Sequence, residues 1–199
     1  MTIVPVRQIV FTALFAALFV IMSAIKISLP LVPITLQTLA VMLAGAFLGP
    51  WLGFLSIFLV VALTALGLPL LGGHGGIAVI QGVTGGFILA FPVSALLVGF
   101  AVRRLVRSGL LQRSKTAAII VLFVIFELLT TFLVYAGGVP WFAMVTDQSI
   151  AASLPVACYP FLVGDTIKAA VAAIAMAALY GYAPVFRADR QAGGIRFAD

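Results

Sequence analysis

Asp165 and Lys168 stand one helical turn apart in the apolar stretch CYPFLVGDTIKAAVAAIAMAALY (158–180). Opposite charges at i and i+3 share one helix face. A charge at the centre of a membrane helix costs about 2.5–3.5 kcal/mol on insertion scales, so ionisable groups in such stretches turn inward and mark function. Nearer the outer end of the stretch, and paired with each other, these two carry a smaller penalty. One chemistry open to them is a mixed-charge anchor: an ammonium that neutralises a ligand carboxylate, and a carboxylate that accepts N–H donors. The other is a helix-end ion pair with no ligand.

The single histidine, His74, lies in LGGHGGIAVIQGVTGG (71–86), where seven of sixteen residues are glycine. Glycine permits positive φ and close backbone approach, so the segment can fold back over a site and offer N–H groups, or act as a flexible gate. A loose connection would also tolerate it. A lone histidine without a second His or a Cys-rich cluster does not make a metal site, and neither metal nor cofactor is expected. Glu127 is an acid in the middle of another apolar stretch; a protonated acid, an ion pair, a proton path and a partner contact all stay open for it. Asp147 reads as a solvated loop residue. Lys26 closes the first apolar run, where its stem can snorkel to the interface. Cys158 is the only cysteine, which rules out an intramolecular disulfide and leaves it a small buried filler.

The elements that carry these groups belong in lipid. Of 199 residues, 64% are hydrophobic and 8% charged, and the mean hydropathy is +1.32. A soluble domain holds roughly 25% charged residues. Apolar runs near 9–25, 34–49, 51–66, 84–102, 117–136 and 159–182 predict an all-α integral membrane protein. It is expected to be a six-transmembrane-helix bundle over 1–183, followed by a cytoplasmic tail at 184–199. Gly49-Pro50 separates the second and third runs, both short for a full span. Barrel strands would alternate apolar and polar residues, which these runs do not. The first run reaches Ile25 without a clear cleavage pattern and reads as a retained span rather than a signal peptide.

Charge orients the bundle. Arg7, then Arg103, Arg104, Arg107, Arg113 and Lys115, then Arg187, Arg190 and Arg196 make nine of the eleven basic residues. Six spans put all nine on one face, which the positive-inside rule makes cytoplasmic, with both termini inside. The formal charge of +6 reflects these flanks. It also suits anionic lipid, and nucleic-acid binding is not expected. The outward connections 26–34, 67–83 and 137–158 are apolar and rich in Gly and Pro. Irregular backbone of that kind is tolerated where it is buried in protein or lines a cavity. Ala13/Ala17, Gly45/Gly49/Gly53 and Ala169/Ala173/Ala177 are small-xxx-small patterns that allow close helix contact, internal or with a partner.

Three separated blocks, LPLVPITLQTLAVMLAGAFLGPWLG (29–53), LGLPLLGGHGGIAVIQGVTGGF (66–87) and PFLVGDTIKAA (160–170), resemble the BioY family. These are biotin-specific S components of energy-coupling-factor (ECF) vitamin transporters, in the cytoplasmic membrane of bacteria and archaea. The resemblance covers nearly the whole chain before the tail. It implies six helices, biotin held near the outer face, and partners: a transmembrane coupling protein and two ABC ATPases. It also implies a substrate-binding set of His74, Asp165 and Lys168, joined by Gln37 and by Gly73 and Gly75. His74 departs from the family's usual asparagine. Ala13 and Ala17 resemble the contact with the coupling protein. The 199 residues hold no Walker motif, so ATP hydrolysis would fall to the partners. An apolar bicycle with a ureido group and a carboxylate suits a greasy pocket with few polar groups.

Three other readings compete. An S component for thiamine or riboflavin would keep the fold and change the pocket. A lone permease would carry a polar stripe through several spans, and polar residues here lie mainly in the outer half. An intramembrane enzyme could be imagined around Ser94, His74 and Asp165, but no nucleophile motif supports it.

Overall fold

Apolar side chains on every face favour helices in lipid, because a helix satisfies its own backbone hydrogen bonds. In the computed structural model, which describes residues 6–27 and 32–180, helices dominate. Helix α1 (Val6–Ala24) leads into a two-residue antiparallel ribbon, β1 (Lys26–Ile27) with β2 (Ile34–Thr35), in register Lys26↔Thr35. Helices α2 (Gln37–Leu48) and α3 (Pro50–Ala65) meet at Gly49 (φ 76°). Pro50 occupies the first turn of α3, where its missing N–H leaves no bond unmade. A short α4 (Ile77–Gln81) precedes the 23-residue α5 (Gly85–Arg107) and the turn helix α6 (Leu110–Arg113).

The next helix is continuous over 32 residues, Lys115–Thr146. It comprises α7 (Lys115–Phe126), a π-helical segment opened by Glu127 (Glu127–Phe132) and α8 (Leu133–Thr146). After it come α9 (Ile150–Ala157) and α10 (Tyr159–Leu179). Among the described residues, four helices are long and apolar enough to cross a membrane: α1, α5, the 115–146 helix and α10. The 12-residue α2 and 16-residue α3 are shorter, below the roughly 20 residues of a full span. The tail expected at 184–199 lies outside the described residues.

The outward connection expected at 137–158 is corrected. Its first ten residues continue α8, and most of the rest form α9. Gly137, Gly138 and Pro140 read as breakers, yet the glycines serve contact with α5. A Cβ on Gly138 would come within 2.3 Å of the Phe87 ring, and one on Gly137 within 3.4 Å of Ala90 Cβ. Pro and Gly are tolerated in such helices when neighbours compensate. The turn arrives later, at Asp147 with φ 52°.

Two apolar clusters fill the interior. One, with Phe19, Val41, Ile57, Phe91, Phe142 and Phe161, occupies the end where α5 begins. The other, with Met42, Val98, Val102, Leu122, Phe126 and Met176, lies towards the Arg104–Arg107 end. Small residues bring the helices close: a Cβ on Gly45 would sit 2.5 Å from Ala95 O, and one on Gly53 2.9 Å from Gly45 Cα. Ala169, Ala173 and Ala177 are buried in the second cluster. Ala13 and Ala17 face outward, beside exposed Ile9, Val10, Leu14 and Ile21. Cys158 is buried.

The α5–α8 contact is close-packed where α5 begins. A Cβ on Gly86 would lie 2.3 Å from Trp141 Cβ and 2.6 Å from Gly137 O, while Trp141 Nε1 donates to Gly82 O at 2.9 Å. Overpacking of this kind costs about 1–3 kcal/mol. Gly86→Val is therefore expected to lower the thermal unfolding midpoint in detergent clearly. Gly164→Ala, whose Cβ meets nothing within 4 Å, should hold or raise it. Equal midpoints for the two variants would contradict the packing.

Candidate functional site

A buried carboxylate must find donors or lose its charge. Asp165 is 3% exposed and Lys168 8%, both on the inward face of α10. Lys168 Nζ donates to Asp165 Oδ1 at 2.8 Å, to Thr38 Oγ1 at 3.3 Å and to the Thr35 carbonyl at 2.5 Å. Thr38 Oγ1 donates in turn to Asp165 Oδ1 at 2.8 Å, and the Tyr135 hydroxyl donates to Oδ2. All three ammonium protons thus have acceptors and both carboxylate oxygens have donors. The pair is neutral as a unit, which is what makes burial of two charges tolerable.

Each partner is delivered by a different element. The ribbon register that pairs Lys26 with Thr35 aims the Thr35 carbonyl at Lys168. Thr38 sits in the first turn of α2, and Thr35 Oγ1 holds its start by accepting from the Gln37 N–H at 3.3 Å and donating to Gln37 Oε1 at 2.9 Å. Tyr135 is in the first turn of α8, just past the π-helical segment.

This cluster lies in the wall of a cavity of about 420 Å³, within the range of small-molecule sites. Phe87, Phe91, Phe161, Val134 and Ile88 supply apolar walls. At the rim, Leu71 and His74 exchange backbone hydrogen bonds at 3.0 and 3.3 Å around a two-residue turn. The turn residues Gly72 and Gly73 have φ of 60° and 83°, the signature that selects glycine in primed hairpin turns. Ser23 ties this turn to the end of α1: its Oγ accepts from Gly72 N at 3.0 Å, and its one proton lies between the carbonyls of Val20 at 2.6 Å and Leu70 at 3.0 Å.

Of the positions singled out from sequence, Gln37, His74, Asp165 and Lys168 line one cavity. Gly73 and Gly75 do not. Gly73 makes the turn, and Gly75 packs where a Cβ would be 2.4 Å from Leu68 O. The residues that sequence reasoning missed are Tyr135, Thr38 and Thr35. A buried acid needs donors at its own depth, and the polar side chains within the apolar runs 34–49 and 117–136 were the available sign. Lys26, read as an end-of-span lysine, also lines the cavity, with Nζ donating to Gly72 O at 3.3 Å. Ser94 is not in this cavity wall; it is fully buried and donates to Thr130 Oγ1 at 3.0 Å. The imagined set with His74 and Asp165 is therefore not assembled. Among the described residues no group of three or more His, Cys, Asp or Glu gathers as a metal site would need.

Known proteins are similar to this chain in sequence and in architecture. The family model of the BioY family matches residues 1–184. A probable biotin transporter BioY of Pyrococcus horikoshii is 38% identical over 176 residues, covering 88% of this chain and 97% of that one. The biotin transporter BioY of Rhodobacter capsulatus is 36% identical over 190 residues, covering 89% and 95%. A probable biotin transporter BioY of Bacillus subtilis is 42% identical over 167 residues, covering 82% and 83%. Among solved structures, the S-component for biotin from an ECF-type ABC transporter superposes with a TM-score of 0.74 at 29% identity, covering 88% of this chain and 92% of that one. With a match this long in both sequence and fold, the chain belongs to the BioY family.

Proposed function

We propose that this protein binds biotin in the cavity beside Asp165 and Lys168 and serves as the substrate-binding membrane subunit of an ECF-type transporter. The observation that carries the reading is a neutral, fully hydrogen-bonded polar cluster set into an otherwise apolar cavity, in a chain whose relatives are named biotin transporters. Biotin has a ureido group that both donates and accepts, fused to an apolar bicycle. Asp165 and its hydroxyl neighbours can exchange hydrogen bonds with the ureido group while the phenylalanines cover the rings. His74 and Gln37 lie where they can close over the ligand; Gly73 and Gly75 shape the loop that carries His74.

In this reading α2 and α3 cross as short spans, making six with the four long helices. The basic ends of α5, α6 and α7 face the cytoplasm, as do both termini, and the cavity opens outward. Length supports the assignment: 23 residues of α5 separate the cavity end from Arg107 by about 34 Å, more than the roughly 30 Å hydrocarbon core. The outward apolar face of α1 with Ala13 and Ala17 is the docking surface for a transmembrane coupling protein, which ATPases would drive.

Three outcomes test this. Calorimetry on the purified protein should show tight biotin binding, weakened at least about thirtyfold by Asp165→Asn or Lys168→Ala, since truncating one partner of a buried charge pair costs about 2–5 kcal/mol. No loss in either variant would remove the site assignment. Asp165→Leu alone leaves a buried ammonium unpaired and should destabilise the fold by about 3–5 kcal/mol, whereas Asp165→Leu with Lys168→Met should recover stability but not binding. A double variant that binds biotin normally would contradict the anchor. Ala13→Trp with Ala17→Trp should leave binding intact and abolish ATP-driven uptake in cells supplying the partners; uptake at the parental rate would move the docking surface elsewhere.

A further inference from the structure

The sequence suggested Lys168 as the residue that meets a ligand carboxylate. The geometry points to another lysine, and we propose that Lys26 holds it. This assignment rests on the biotin reading above and divides the ligand between two sets of groups.

An ammonium has three protons to give. Those of Lys168 go to Asp165, Thr38 and Thr35 within the protein. Its charge is already met by the Asp165 carboxylate at 2.8 Å. A second carboxylate beside it would face Asp165 as well, and like charges in a desolvated wall repel strongly. Lys168 is thus a positioning residue for Asp165. Lys26 is different. It lines the same cavity from the rim and is exposed, and among the described residues its Nζ has one hydrogen bond, a long one of 3.3 Å to the Gly72 carbonyl. Two of its protons are available.

Charge agrees with geometry. Among the described residues, the cavity wall holds two lysines, Lys26 and Lys168, and one acid, Asp165. One positive charge is left uncompensated, and it is at the rim. A monoanion with an uncharged polar head fits this pattern: head on the Asp165 cluster, carboxylate at Lys26. The site also holds Lys26 in place. Register pairing with Thr35 fixes its backbone, and Ser23 holds the Gly72 turn against which its side chain rests. Glycine suits position 72 because the turn that presents its carbonyl to Lys26 needs φ of 60° there. Among the described residues, His74 and Tyr135 are the other titratable groups in the wall; Tyr135 is engaged by Asp165.

The test compares biotin with its neutral primary amide, which keeps the ureido bicycle and removes the charge. In calorimetry on the full chain in detergent, the parent should bind biotin at least about tenfold tighter than the amide, the range for a hydrogen bond to a charged group. Lys26→Met should erase that preference, lowering biotin affinity about tenfold and leaving the amide within about threefold of the parent. Lys26→Arg should retain the preference. Raising salt should weaken biotin and spare the amide in the parent only. A parent that binds both compounds equally would overturn the assignment, as would a Lys26→Met variant that loses both equally or loses neither. A parent that binds neither compound would overturn the biotin reading itself, a result distinct from these.

Discussion

Two opposite charges buried together inside a lipid-embedded bundle constrain everything else in this molecule. Either charge alone would be costly enough to oppose insertion. Together they are tolerable only if their hydrogen-bonding groups are met, and here that takes the placement of three further residues and of the helix that carries the pair. Thr35 must arrive on a strand, Thr38 on the first turn of α2, Tyr135 on α8, and α10 must turn its 165/168 face inward. The short ribbon and the close approaches of α2, α3 and α5 through Gly45 and Gly53 bring these elements to one depth.

Such a cluster is both structural and receptive. It is saturated, so its burial leaves no orphan polar atom within it, yet its hydroxyls and carboxylate can exchange partners with a ligand that offers matching donors and acceptors. The aromatic wall contributes apolar contact, which is non-directional; the polar cluster contributes orientation. Chemistry of this kind binds and releases. Bond-making on a substrate would need a positioned nucleophile, and the relatives are transporters.

Much of this was legible in the sequence, for physical reasons. Apolar runs of helical length have few options in a bilayer, so the long helices followed from hydropathy, as did the break at Gly49-Pro50. Asp165 and Lys168 stood out because they are the only charges in the otherwise apolar stretch 158–180. What could not be read was anything set by contact between distant segments. Gly137, Gly138 and Pro140 look like breakers until α5 is seen packed against them. Tyr135 and Thr38 look like ordinary membrane polar residues until Asp165 is placed between them. Gly73 takes a positive φ in its turn and Gly75 packs against the Leu68 carbonyl, roles within the loop that a glycine in the sequence does not spell out.

The most direct measurement is a structure determined with biotin present, at a resolution that orients the ureido ring. The ring should lie within hydrogen-bond distance of the Asp165–Tyr135–Thr38 cluster, between the phenylalanines, with the carboxylate turned towards the Gly72–His74 rim. Biotin bound elsewhere, or bound in the reverse direction with its carboxylate on Lys168, would contradict the account.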